Sequence, residues 1–115
     1  MDAMCLFKQF ESNALKAYQG VTCCDQKGFN YFQARAQLVR KQARRMLSRR
    51  DYAIFLACAD RTEDALKKCT ALGLNNLRKR LSEFRIGEVL SMLLEERSRK
   101  RRQELEESYL YLRAA

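Results

Sequence analysis

Apolar residues recur along this chain at intervals of three and four, the spacing that gathers them on one side of an α-helix. In the first nineteen residues the stripe passes through Met4 or Cys5, Phe7, Phe10 or Ala14, and Tyr18. Gly20 follows where helices commonly end, since a residue without Cβ takes left-handed backbone freely. Val21 to Gly28 reads as a loop holding Cys23 and Cys24. Asn30 then offers an N-cap side chain, and Gln33 three residues later completes a capping box. Beyond it Phe32, Ala36, Val39, Ala43, Met46 and Leu47 form a stripe about 100° wide.

After Asp51 the run from Tyr52 to Cys58 has no polar face, which predicts burial all round, either in a small core or in a partner. Asp60 or Thr62 is the expected cap of a short third helix carrying Ala65, Leu66, Cys69 and Leu72. Gly73 with Leu74 after it predicts a Schellman stop with its hydrophobic follower. From Asn75 to Leu112 the pattern reads as one helix, capped by Asn75 or Asn76, with Gly87 as its only weak point. At ~1.5 Å per residue that rod is close to 60 Å long. Its first half carries Leu77, Leu81, Phe84, Ile86, Val89, Leu90, Leu93 and Leu94, with a phase drift that excludes a sustained heptad.

The decade from Glu95 to Glu104 contains no apolar residue. Glu95–Arg99, Glu96–Lys100, Lys100–Glu104 and Arg102–Glu106 are opposite charges four apart, each worth ~0.2–0.5 kcal/mol to an exposed helix. Apolar character returns at Leu105, Tyr109, Leu110, Tyr111 and Leu112. The expected fold is all-α and extended, with one long C-terminal helix and little independent core. Residues 1–74 supply short helices, including a basic amphipathic one over 30–50, and residues 75–115 a long helix that is not an independent domain.

Composition agrees: 115 residues, no proline, four glycines and 32% charged side chains leave few places to turn. The net charge is +9, and residues 30–50 hold seven bases and no acid. Arg35, Arg40, Lys41, Arg44, Arg45 and Arg49 are expected on the polar side of the basic helix. Such a face attracts nucleic acid, a lipid surface or an acidic protein, or else is simply solvated. It lacks interleaved aromatics for base stacking, and its apolar side has only moderate anchors for a membrane.

The longest apolar run, Tyr52 to Ala59, is far shorter than the ~20 residues a membrane span needs. The N-terminal residues resemble neither a signal peptide nor a mitochondrial transit peptide. Five cysteines without a Cys-x-x-Cys spacing, and no histidine, predict neither a zinc site nor a disulfide framework. A cytosolic or continuous reducing space is expected. The absence of histidine also removes the commonest general base, and no phosphate-binding or nucleophile-elbow motif is present. Neither catalysis nor a cofactor is expected.

The segment Leu90-x-x-Leu93-Leu94-Glu95-Glu96, followed by a charged run and then Gln103-Glu104-Leu105, resembles the C-terminal helix of cilia- and flagella-associated protein 141 and related small microtubule inner proteins. There a Leu-x-x-Leu-(Phe/Leu)-Glu patch precedes Glu-Leu at similar spacing on one long helix. The likeness covers roughly the last 40 residues. The chain departs from that pattern at Arg101 and in lacking a glycine after Leu105. The resemblance implies a structural protein of the ciliary or flagellar axoneme, lying on tubulin and neighbouring inner proteins within the doublet microtubule. On that reading Arg35, Arg40, Lys41, Arg44, Arg45 and Arg49 meet the anionic surface. Leu90, Leu93, Leu94, Leu105 and Tyr109 dock protein partners. The alternative is a small basic RNA-binding subunit of a ribonucleoprotein such as a ribosome.

Overall fold

The computed structural model describes residues 2–114; the side chains of Arg97, Ser98, Tyr109 and residues 111–114 lie outside the description. The described chain is all-α, with helices α1 (Ala3–Thr22), α2 (Gln26–Met46), α3 (Arg49–Ala71), α4 (Leu77–Glu83) and α5 (Ile86–Ala114). It is extended, measuring 68 × 27 × 16 Å.

Asp2 caps α1, its carboxylate accepting from the Cys5 N–H at 2.8 Å. The helix does not stop at Gly20 as the pattern predicts. It runs two residues further, to Thr22, and the chain reverses at Cys24, whose φ of +56° makes the left-handed turn. The Asp25 N–H donates to the Gly20 carbonyl at 2.7 Å and the Cys24 N–H to that of Val21 at 3.2 Å, a Schellman pair without glycine. Gly20 serves packing instead: a Cβ there would stand 3.0 Å from both the Asp25 carbonyl oxygen and the Phe29 nitrogen.

The expected eight-residue loop therefore shrinks to Cys23–Asp25. Asp25, not Asn30, caps α2 and accepts from the Gly28 N–H at 2.9 Å. Asn30 lies a turn inside, taking a hydrogen bond from the Gln26 amide at 3.0 Å. So short a turn folds α2 back along α1. Phe29 meets Tyr18 edge-on at 5.7 Å, Phe32 faces Lys16 and Arg40 faces Phe10, an antiparallel register.

α3 also differs from expectation. It is one helix from Arg49, capped by Ser48 at 3.1 Å from the Asp51 N–H, and it passes straight through Asp60 and Thr62. Thr62 hides its hydroxyl by donating to the Cys58 carbonyl at 2.9 Å, so the residue expected as a cap is buried mid-helix. The stretch from Tyr52 to Cys58 is not buried all round: Phe55 and Cys58 point inward while Ala53 and Ala57 are exposed. Gly73, at φ +66°, ends α3 in the expected Schellman turn, with the Leu74 N–H donating to the Cys69 carbonyl at 3.0 Å.

The long C-terminal helix is present, but it starts at Ile86 rather than Asn75. Asn76, at φ +55°, makes no side-chain cap, and Arg85, at φ +52°, separates α4 from α5. The phase drift in the sequence explains the break. Leu77 and Leu81 form one stripe and Ile86 and Leu90 another, and an unbroken helix would set the stripes ~180° apart. The bend turns both inward, and all four leucines and isoleucines are buried. A left-handed arginine costs roughly 1–2 kcal/mol, against about 1.5–3 kcal/mol gained for each large apolar side chain fully buried.

α3 runs beside α1 and α5 returns antiparallel to both, with Gly87 facing Phe7 at 3.8 Å from a would-be Cβ. Phe7, Phe10, Phe55, Leu66 and Leu90 lie at the centre of the core. Phe10 is the hub, with Phe55 edge-on at 6.2 Å and the Arg40 guanidinium 4.8 Å above its ring. The core stops near Leu94, whereas α5 continues for almost twenty residues.

Candidate partner-binding surfaces

The outer face of α2 presents Lys41, Arg44 and Arg45 to solvent, and Arg35, also exposed, stands at the seam with α1. None of these four forms an ion pair among the described residues. Arg49 is also exposed, but it belongs to the first turn of α3, not to the basic helix.

Arg40 is not part of that outer face. Its guanidinium reaches Asp60 at 2.9 Å and Glu63 at 3.2 Å, and its side chain is only 14% exposed. Glu63, 13% exposed, also accepts from the Gln37 amide at 3.3 Å. Arg40 falls ~40° from Ala36 on the helical wheel, at the edge of the apolar stripe, which is why it turns inward. Its charge is spent joining α2 to α3, a cation held between an aromatic face and two carboxylates.

Of the five residues expected to dock partners, Leu90 is fully buried, and Leu94 is partly buried against the same core. Both are internal. Leu93 and Leu105 are exposed, at 38% and 63%, and Tyr109 lies outside the described side chains. Exposed Met92 and Leu110 join Leu93 and Leu105 along α5. Between them the charged stretch holds the Glu95–Arg99 pair at 3.9 Å, one of the four expected.

The fold also creates a feature that no single stretch of sequence displays. Along one seam, α1 and α2 leave an open groove of about 780 Å³. Its cations are Lys8, Lys16 and Arg35, and its apolar wall includes Tyr31, Phe32 and Leu38. The Lys16 ammonium sits 5.5 Å from the Phe32 ring centre. The Arg35 guanidinium lies 5.6 Å over Tyr31 and donates to its hydroxyl at 3.1 Å. Aromatics do therefore adjoin the basic face. They are invisible as such in the sequence, where Asn30 reads as the start of the helix and Tyr31 as its frayed end.

Burial pushes the Tyr18 hydroxyl up, helped by Glu63 and Asp64. It pushes the Cys58 thiol up as well, against a smaller pull from Arg61, the behaviour of a structural cysteine. Cys69 is likewise buried, while Cys5, Cys23 and Cys24 are exposed and free. Among the described residues no helix is long and apolar enough to cross a membrane. The chain matches no protein-family model, no curated protein and no solved structure.

Proposed function

We propose that this chain is a non-catalytic structural protein that lies on an acidic protein lattice, the tubulin wall of the ciliary or flagellar doublet, and ties it to neighbouring inner proteins. The observation that carries this reading is the reach of α5. The helix packs through Ile86 and Leu90, then leaves the body as a charged rod and exposes Leu105 and Leu110 beyond it. A helix that is polar along most of its free length suits a bridge between two docking points. The four solvent-facing cations of α2 supply the attraction for an anionic surface. The C-terminal resemblance to small microtubule inner proteins supplies the identity of that surface.

The test is localisation and extraction in a flagellated cell. Tagged protein is expected in the axoneme and is expected to stay there after detergent removes the membrane and soluble matrix. Signal confined to another compartment would overturn the reading. Nuclease-sensitive sedimentation with ribosomal particles would replace it with RNA binding.

A further inference from the structure

We propose that the α1–α2 groove is a receptor for an acidic peptide segment, so that the partner is gripped by a strand of its own chain as well as by surface charge. The inference deepens the reading above, and rests on it for the identity of the partner but not for the chemistry of the groove.

Three cations line the groove, and no acidic residue is among its walls. Glu11, one turn from Lys8 on α1, is the acid that feels the Lys8 charge, so Lys16 and Arg35 carry most of the groove's unbalanced charge. Neither is a loose surface charge. Each is seated on an aromatic ring, and Arg35 is further fixed by its hydrogen bond to the Tyr31 hydroxyl. Ordering a long side chain before binding removes an entropic cost that an exposed lysine or arginine otherwise meets on contact.

Lys8 and Lys16 are separated by about 12 Å along α1 at ~1.5 Å per residue. That distance spans about four residues of extended chain at ~3.3 Å each, so alternate carboxylates on a strand reach both ends. Leu38, 57% exposed on the apolar wall, offers a contact for the intervening backbone or a small side chain.

The same geometry disfavours a nucleic-acid strand. Base stacking needs an open aromatic face, whereas Lys16 covers one face of Phe32, Arg35 one face of Tyr31, and the two rings meet edge-on at 5.0 Å and offer no flat platform.

The experiment measures binding of the full chain to a fluorescein-labelled peptide of alternating glutamate and glycine by fluorescence anisotropy. The glutamine counterpart and a labelled oligouridylate serve as competitor probes. The acidic peptide is expected to bind and the glutamine peptide to bind at least about tenfold more weakly. The double variant K16Q/R35Q is expected to lose about tenfold or more in affinity, and R44Q/R45Q, on the outer face, less than about threefold. R35K keeps the charge but loses the planar stack on Tyr31, and is expected to fall between wild type and K16Q/R35Q.

Equal losses from the two double variants would reduce the effect to bulk charge and overturn the proposal. So would tighter binding of the oligouridylate that K16Q/R35Q abolishes. Thermal melts verify that each variant folds; if K16Q/R35Q does not, R35K and K8Q decide by the same comparison with R44Q/R45Q. Axonemal retention separates the two readings. Peptide binding without retention leaves the groove standing and removes the lattice, whereas retention without peptide binding does the reverse.

Discussion

The first two turns of α5 and its far half both carry large apolar residues three to five apart, yet these do opposite things. Ile86 and Leu90 are buried at 2% and 0%, while Leu105 and Leu110 are exposed at 63% and 62%. The difference comes from what lies alongside. α1 and α3 run beside the start of α5, and their N-terminal turns come level with Arg99–Glu104, short of Leu105 and Leu110. Apolar side chains near the start are thus committed to the core, and those near the end are left for something outside the chain. Hydrophobic character alone does not separate a packing residue from a docking residue; the length of the neighbouring helices does.

The sharpest way to break this comparison is to truncate one large apolar residue on each side of it. Phe10→Ala or Phe55→Ala removes half of an edge-to-face pair at the hub of the core and should cost about 3–5 kcal/mol. For a domain with about 5–15 kcal/mol in total, much of the stability would go. Leu105→Ala should change stability by no more than about 0.5 kcal/mol while weakening retention in the partner assembly. Urea denaturation of both variants checks the first half. A Leu105→Ala variant as destabilised as Phe10→Ala would show that the end of α5 packs within its own chain.

The charged residues divide in the same way. Arg40→Met leaves Glu63 almost buried with its cation gone, and loss of one partner from such a pair costs about 3–5 kcal/mol when burial is complete. Because Asp60 is 60% exposed and keeps its water, about 2–4 kcal/mol is expected here. Arg45→Met, on the open face, should stay within about 0.5 kcal/mol. Combining Arg40→Met with Glu63→Leu should recover most of the loss, since the stranded carboxylate is then absent. A double variant no more stable than Arg40→Met alone would mean that Arg40 contributes through its contact with Phe10 on α1 and not through the ion pair to α3.

Glycines give a third, smaller contrast. Gly20→Ala forces a methyl group against backbone atoms of Asp25 and Phe29 at 3.0 Å, and should cost about 1–3 kcal/mol. Gly87→Ala meets only the Phe7 ring edge at an ordinary 3.8 Å and should stabilise by about 0.5 kcal/mol through helix propensity. Thermal melts of the two variants should move in opposite directions.

These positions also mark how far the sequence could be read. The all-α class, the stop at Gly73 and the long charged C-terminal helix follow from local spacing and local chemistry, and local rules reach them. Gly20, Asp60 and Thr62 each have the right chemistry for a helix boundary, yet their surroundings in the fold place them inside helices. Gly20 makes room for α2, and Thr62 satisfies its hydroxyl within its own helix. Of the candidate site, the exposed cations of α2 were legible from their clustering. Arg40 and Leu90 were not, because their burial depends on α3 and on the bend at Arg85. The groove joins residues from two helices whose register is set by the turn at Cys23–Asp25, and no periodicity along one helix reveals it.

The smallest effect lies at the rim of the body, where Glu11 tests how far burial extends. Partial burial pushes its carboxyl above the ordinary 4.5, and Lys8 pulls it back in part. A carboxyl whose folded pKa is raised disfavours the folded state when ionised, so its cost is present at neutral pH. That cost is relieved as pH falls through the folded pKa and is gone below the unfolded value. Glu11→Gln removes the charge at every pH. It should therefore stabilise the protein at neutral pH, by no more than about 0.5 kcal/mol because water screens the half-exposed group. The advantage should vanish below about pH 4, near the unfolded value for glutamate. Glu104→Gln, on the projecting half of α5, removes the acid expected to pair with Lys100 and offers no such gain; its loss is at most ~0.2–0.5 kcal/mol of local helix stability. Denaturation of both variants at neutral and acid pH distinguishes them. A Glu11→Gln variant less stable than wild type at neutral pH would mean that the attraction to Lys8 outweighs the burial, placing Glu11 with the solvated charges of the rod instead of the packed body.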